Sequence, residues 1–375
     1  MNEDLLSSMQ EVLQLQRTAG PLEATAAIQR ALRGGIGSPS RAASCPTPDV
    51  GEGLHLRDGV FPGKPPVRAR GTDAFFHPHI ARKPDVEDRG HFIAKTYANA
   101  AGQRDYKLYV PAGYSGELLP LIVMLHGCRQ DADDFSAGTR MNALAERHGF
   151  LVAYPIQPQR ANPAKCWSWF KPGDQQREGG EPSLIAGITR NVMASHSIDS
   201  RRVYVAGLSA GGAMVAVMIQ TYPELYAAAG IHSGLPYRCA HDLPSALTAM
   251  KEGKRARRAR FADGKDGATL PMRPLIVFHG DADATVHPSN GSELVREFGM
   301  SPSPAAEVRY SQAGQRPYTR RWLTAANGVD AEYWIIHGAP HAWGGGSIAG
   351  SYTDASGPDA SAEMVRFFLA HPQHQ

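Results

Sequence analysis

Residues 207–211 read Gly-Leu-Ser-Ala-Gly, and a serine framed two places to either side by glycine is a candidate nucleophile. A serine hydroxyl is a poor nucleophile at neutral pH and needs a general base, itself oriented by an acid. When the serine sits on a strand-to-helix turn, its partners follow in the order Asp or Glu, then His. Downstream, "FHGDADATVHPSNG" offers Asp281 and Asp283. Asp283 is the choice, because by that point the loop has had room to turn towards the serine; Asp281, bracing the loop, is the alternative. "IIHGAPHAWGGG" offers His337 and His341. His341 lies further into the glycine-rich loop, free to swing over Ser209, whereas His337 at the strand's end is expected to bond backbone. His287 is expected at the surface or behind the acid, and His232 as a satisfied buried histidine.

The chemistry such a set could do is acyl transfer, which also needs donors for a developing oxyanion. Such a donor is worth about 3–4 kcal/mol where one has been removed elsewhere. One donor is the backbone N–H of Ala210, next to the nucleophile. The other is expected from "LHGCRQ" at 125–130, through the Cys128 N–H. The Cys128 thiol is then not the nucleophile, and the chemistry calls for no metal or cofactor.

These residues need a scaffold, and the chain supplies one from about residue 96. Strands are expected at 106–110, 121–127, 149–155, 202–207, 227–233, 274–280 and 332–338, rich in β-branched residues and nearly continuously apolar. Helices are expected at 139–148, 182–196, 210–221, 288–298, 316–326 and 359–370. Apolar strands alternating with helices mean a mostly parallel sheet covered on both faces, with its site at the strands' carboxyl ends. Ser209 follows one such strand and opens a helix, "AGGAMVAVMIQTY", which is the setting a nucleophile turn requires. The fold class is α/β, and the small residues Gly207, Gly211 and Gly212 would let the helix approach the strand.

Before this zone, residues 1–34 carry a helical stripe (Leu5, Leu6, Met9, Val12, Leu13) broken at Gly20-Pro21, and are expected to form a helical amino-terminal extension. Residues 35–95, rich in Pro, Gly and Arg, are expected to be a mostly irregular linker, leaving 96–375 as the catalytic domain. The chain is 42% hydrophobic with a net charge of +3, so most of it should fold, and the charge alone suggests no nucleic-acid partner. No window approaches the roughly 18 apolar residues of a membrane span. The start lacks a basic segment followed by an apolar one, so the expected compartment is the cytoplasm, with secretion by a route not readable from the sequence as the alternative.

Together "LHGCRQDADDF", "CWSWF", "YVAGLSAGGAM", "HGDADATVHPSNG" and "HAWGGG" resemble the poly(3-hydroxybutyrate) depolymerase family of esterases, over roughly residues 95–372. The resemblance implies an α/β-hydrolase fold with Ser209 as nucleophile, Asp283 as acid, His341 as base and Cys128 in the oxyanion loop. It also implies that Cys128 can pair with Cys166, a bond unusual in a reducing cytoplasm; Cys239 offers Cys166 another partner. Family members act on short-chain polyhydroxyalkanoates, and feruloyl and acetylxylan esterases are related. The expected substrate is 3-hydroxybutyrate polyester or its oligomers. A feruloyl or acetylxylan ester is the alternative, and a non-catalytic granule-binding scaffold the rival from another class. With no export signal or carboxyl-terminal binding domain recognised, intracellular granules or soluble oligomers are expected over crystalline extracellular polymer.

Trp167, Trp169, Phe170 and Trp343 fall near strand ends and are expected to compete between core packing and the walls of an apolar cleft, with Trp167, Trp169 and Trp343 as the substrate-binding candidates. "SYTDASGPDAS" at 351–361 is expected to be a turn and helix cap. "KEGKRARRAR" at 251–260, with six basic residues and one acid, is expected to be a solvated insertion, a granule surface being the other candidate partner.

Overall fold

The structure, a computed structural model, describes residues 89–253, 272–296 and 307–373. The chain divides into Met1–Pro84 and Asp85–Gln375, and the described residues belong to the second unit. The helical expectation for 1–34 and nearly all of the basic run at 251–260 lie outside the described residues.

The strands are β1 (His91–Asn99), β2 (Gly102–Val110), β3 (Leu119–Leu125), β4 (Leu151–Pro155), β5 (Ile198–Leu208), β6 (Ala228–His232), β7 (Leu275–Gly280), β8 (Glu307–Tyr310), β9 (Tyr318–Thr324) and β10 (Asp330–Ile336). They form one ten-stranded sheet in the order β1-β2-β4-β3-β5-β6-β7-β10-β9-β8. The six central strands, β4 to β10, pair parallel; β1, β2, β8 and β9 are antiparallel additions at the two edges. The helices are α1 (Ala132–Thr139), α2 (Met141–His148), α3 (Gly180–Ser195), α4 (Ala210–Thr221), α5 (Leu243–Glu252), α6 (Ser289–Val295) and α7 (Ala360–Ala370).

Side chains alternate across a strand, so a central strand feeds two cores. In β3, Leu121, Val123 and Leu125 join one core with Ile185 of α3 and Met214 of α4. Ile122 and Met124 join the other with Phe135 of α1, Leu144 of α2 and Phe368 of α7. Both faces are therefore helix-covered, which is why these strands read as uninterrupted apolar runs. The order reverses at β3: the chain steps out to β4, then returns to β5 on β3's other side. Open parallel sheets leave a crevice at such a reversal, outside the carboxyl ends. Leu125 pairs with Gly207 and Leu208 with His232, so the loops after β3 and β5 leave the sheet side by side.

Two expectations differ from the structure at the edges. The segment 316–326 is not a helix but contains β9, paired antiparallel to β10. Thr319 and Thr324 with Tyr318 and Trp322 suit a pleated surface, and the Arg320 guanidinium lies 4.4 Å from the Trp322 ring centroid and 4.8 Å from that of Trp334. The connection to β10 carries Asn327-Gly328, with Gly328 at φ 78° and Ala325 N–H donating to Val329 O at 2.8 Å; Asn-Gly is a hairpin signal. The other difference is a boundary: β1 starts at His91, so its first five residues fall in the stretch expected to be mostly irregular. Much of this edge strand is exposed, so it lacks the apolar run that marks the central strands.

Helix α4 meets the sheet through glycine. A Cβ on Gly211 would lie 2.0 Å from Leu125 O, and one on Gly207 would lie 2.6 Å from Gly211 C. Gly211→Ala is therefore expected to lose stability by about 3 kcal/mol or more, the upper end of overpacking costs. Gly113→Ala, where nothing lies within 4 Å, should be near neutral. Urea unfolding of both variants checks this, and equal midpoints would contradict the close approach.

Candidate functional site

Ser209 caps α4 at φ 57°, ψ −118°, a backbone conformation that L side chains rarely adopt. Such a conformation costs about 1–3 kcal/mol and persists only when its surroundings over-determine it. They do so here: Ser209 N–H donates to His232 O at 2.9 Å, and Ser209 O accepts from Ala213 N–H at 2.9 Å. The turn joins the carboxyl end of β5 to α4. The Ala210 N–H, in the first turn of α4, has no acceptor within the helix, and the helix's positive end lies beside it.

The loop after β3 commits the amides on either side of Cys128. Gly127 N–H donates to Gln130 Oε1 at 2.9 Å, Arg129 N–H to Ala164 O at 2.7 Å and Gln130 N–H to Gly127 O at 3.3 Å. The Cys128 N–H, between these committed amides, donates to no acceptor among the described residues. Cys128 is bonded to Cys166, with a Cα–Cα separation of 4.3 Å, and Cys239 stays a free thiol. Burial pushes the Cys239 thiol up to about 12.

Under the loop, His126 Nε2 accepts from the Gln157 N–H at 3.1 Å, so the ring proton is on Nδ1 and donates to Gly127 O at 2.7 Å. Burial pushes His126 down to about 4, which keeps that tautomer neutral. Trp167 Nε1 donates to His126 O at 3.1 Å. Gln157 Nε2 donates to Cys166 O at 3.0 Å, and Glu181 Oε2 accepts from Ser168 N–H at 2.7 Å. Both ends of the disulfide loop thus rest on a buried polar floor.

The loops after β7 and β10 bring two acid–histidine pairs together. Asp283 Oδ2 accepts from His341 Nδ1 at 2.7 Å, and Asp281 Oδ2 from His337 Nδ1 at 2.8 Å. The surroundings of the two pairs differ. Asp283 is 5% exposed, and its Oδ1 accepts from Thr285 N–H at 2.9 Å and Val286 N–H at 2.8 Å. Burial works to raise its pKa, but hydrogen bonds from His279 and His341 and the Val286 amide outweigh that and hold the carboxyl well below the usual range. Asp281 is exposed, accepts from Gly338 N–H at 2.6 Å, and ties down the strand end. His337 reaches Thr319 Oγ1 at 2.9 Å with its other nitrogen, so it bonds side chains where backbone was expected. His232 is buried and stacks between Phe278 and Trp343; burial, then the nearby His279 and His341, push it down to about 3. His287 is exposed.

With Asp283 accepting from Nδ1–H, His341 carries its lone pair on Nε2. The arrangement thus provides a base backed by a buried carboxylate, and a hydroxyl on a strained turn. It also provides two backbone donors on adjacent loops.

The tryptophans are placed otherwise than expected. Trp167 (0% exposed), Trp169 (5%) and Trp343 (1%) are core residues, not cleft walls. Trp167 supports His126, Trp169 packs edge-on to Phe170, and Trp343 donates from Nε1 to Ser361 Oγ at 3.0 Å. Large rings near strand ends fill the space where loops fold back over the sheet. The residues that sequence reasoning passed over are His126, Gln130, Gln157, Glu181 and His279. For His126, Gln157 and His279 the signal was a polar residue inside or beside an apolar strand end, where burial demands a partner; Glu181, in α3, and Gln130, five residues past β3, carried none. The 351–361 stretch does cap a helix: Asp359 Oδ1 accepts from Ala362 N–H at 3.0 Å.

A central parallel sheet, helices on both faces and a strained serine turn at the carboxyl edge define an α/β-hydrolase. Residues 104–302 match the family model described as Esterase PHB depolymerase, and the chain belongs to that family. Over 194 residues it is 42% identical to poly(3-hydroxyalkanoate) depolymerase C of Paucimonas lemoignei, covering 51% of this chain and 46% of that protein. Over 188 residues it is 31% identical to feruloyl esterase B of Neurospora crassa, covering 48% of this chain and 63% of that one. The matches therefore span about half to under two thirds of these relatives' lengths. The structure of an acetyl xylan esterase from Aspergillus awamori superimposes with a TM-score of 0.55 at 21% identity, covering 74% of this chain and 99% of that one, a likeness of fold.

A carboxyl group held below its ordinary value near 3.9 stabilises the fold fully above that pH and loses the contribution as pH falls. Wild-type stability is expected to hold down to about pH 5 and to fall below about pH 4, and Asp283→Asn to fall less over the same span. Urea unfolding across that range checks this; parallel curves would show that Asp283 is not held as described.

Proposed function

We propose that the chain is a serine carboxylic-ester hydrolase acting on 3-hydroxybutyrate polyester or its oligomers. The observation that carries the reading is the hydrogen-bonded Asp283–His341 pair, its acid buried, at the same sheet edge as the Ser209 turn. His341 Nε2 takes the Ser209 proton as the oxygen attacks the ester carbonyl. The developing oxyanion is met by the N–H groups of Ala210 and Cys128. Expulsion of the alcohol, protonated by His341, leaves an acyl-enzyme. Water, deprotonated by the same imidazole, then releases the acid. The substrate assignment is supported by the 42% identical depolymerase, and a granule surface is the proposed partner.

Amorphous poly(3-hydroxybutyrate) granules and methyl ferulate, given in parallel to wild type and Ser209→Ala, test it. Release of 3-hydroxybutyrate should fall by about 10⁴-fold or more in the variant. Ferulate release with untouched granules would move the substrate to the feruloyl or acetylxylan class. Granule binding that survives Ser209→Ala, with no hydrolysis by wild type, would make the protein a scaffold.

For the compartment, the Cys128–Cys166 bond favours an oxidising environment over the cytoplasm expected from the amino-terminal sequence. Alkylating intact cells before lysis should leave both cysteines unmodified by mass spectrometry. Alkylation of both would return the chain to a reducing compartment.

A further inference from the structure

Gln130 lies five residues past the end of β3, is 1% exposed, and has both ends of its amide committed. Its Oε1 accepts from the Gly127 N–H at 2.9 Å, inside the loop that presents the Cys128 N–H. Its Nε2 faces three oxygens: Asp134 Oδ2 at 2.8 Å, Ser351 O at 3.1 Å and Ser351 Oγ at 3.3 Å. Asp134, in α1, also accepts from the Ser351 N–H at 2.8 Å and the Ser351 hydroxyl at 2.6 Å.

Ser351 belongs to the segment that returns after His341. Tyr352 O accepts from the Trp343 N–H at 2.7 Å, and Trp343 is two residues beyond His341. The same segment is seated on α1 by Ser347 N–H to Gly138 O at 2.8 Å. Gly350 packs so closely that a Cβ there would lie 2.4 Å from Asp134 O. One buried amide thus connects the loop carrying an oxyanion donor to the loop carrying the base, 221 residues away in sequence.

We infer that Gln130 is a positioning residue that sets the oxyanion loop and the base loop in register, through Asp134 and Ser351. The inference rests on the ester-hydrolase reading for its catalytic consequence. A glutamine is required because the site needs an acceptor towards Gly127 N–H and a donor towards Asp134. Near-attack geometry tolerates little displacement: a misplacement of about 1 Å can cost about a hundredfold.

Gln130→Glu keeps the shape and the acceptor for Gly127 N–H but sets a second carboxylate against Asp134. The experiment measures p-nitrophenyl butyrate hydrolysis and amide hydrogen exchange in wild type, Gln130→Glu and Ser351→Ala. In Gln130→Glu, kcat should fall by about tenfold to a hundredfold with KM within about twofold, the pattern of an interaction realised in the transition state. Exchange should quicken at 347–353 as well as at 126–131. Ser351→Ala keeps the backbone carbonyl and should show the same changes at about two- to fivefold, which serves if the first variant fails to fold. Quickened exchange confined to 126–131, or an unchanged kcat in folded variants, would overturn the inference. If wild type hydrolyses no ester while exchange quickens at both segments, the coupling stands and the ester-hydrolase reading fails.

Discussion

The approach of α4 to the carboxyl end of β3, across β5, is the constraint on which the site depends. Only with no Cβ at Gly207 and Gly211 can the helix start directly off the strand. That sharp start forces Ser209 into its positive-φ turn and leaves the Ala210 N–H in the first turn of α4, without an acceptor in the helix. The same proximity places the β3 loop beside the serine, so that the proposed nucleophile and both proposed backbone donors derive from one packing contact. A helix displaced outwards by even a methyl group would part these groups together.

Around that contact the protein uses buried neutral histidine as a structural part. His126 holds its loop through one donated and one accepted hydrogen bond, and His232 supplies both the carbonyl that fixes Ser209 N–H and a nitrogen that accepts from Gly344 N–H at 3.0 Å. Burial pushes both well below their ordinary values, so both stay neutral at neutral pH. Asp283 is kept ionised by the opposite device: enough donors converge on it to overcome burial. Beside these neutral rings, the buried carboxylate of Asp283 lies against His341.

The central strands were legible because burial on both faces leaves one kind of residue in them. The edges were not: β1 and β9 have a solvent side, and their patterns can be mistaken for linker or helix. The Asn327-Gly328 turn was nonetheless present in the sequence as a hairpin signal. The substrate-side reading of Trp167, Trp169 and Trp343 failed for a related reason. Proximity to a strand's end in sequence does not say whether a ring points up into solvent or down under a returning loop.

What the sequence determined by itself was the order of chemical parts: glycine-framed serine, then acids, then histidines, each just past an apolar run. That order follows from local physics, since turn residues and strand patterns are read over a few positions. Only the tertiary structure decided which acid meets which histidine. Each acid found a histidine, and the pairs differ in burial, a quantity set by loops 58 residues apart folding over one another. The part played by Gln130 was likewise invisible in the chain. Its partners come from α1 and from a segment 221 residues on, and no local pattern records a hydrogen bond across that distance.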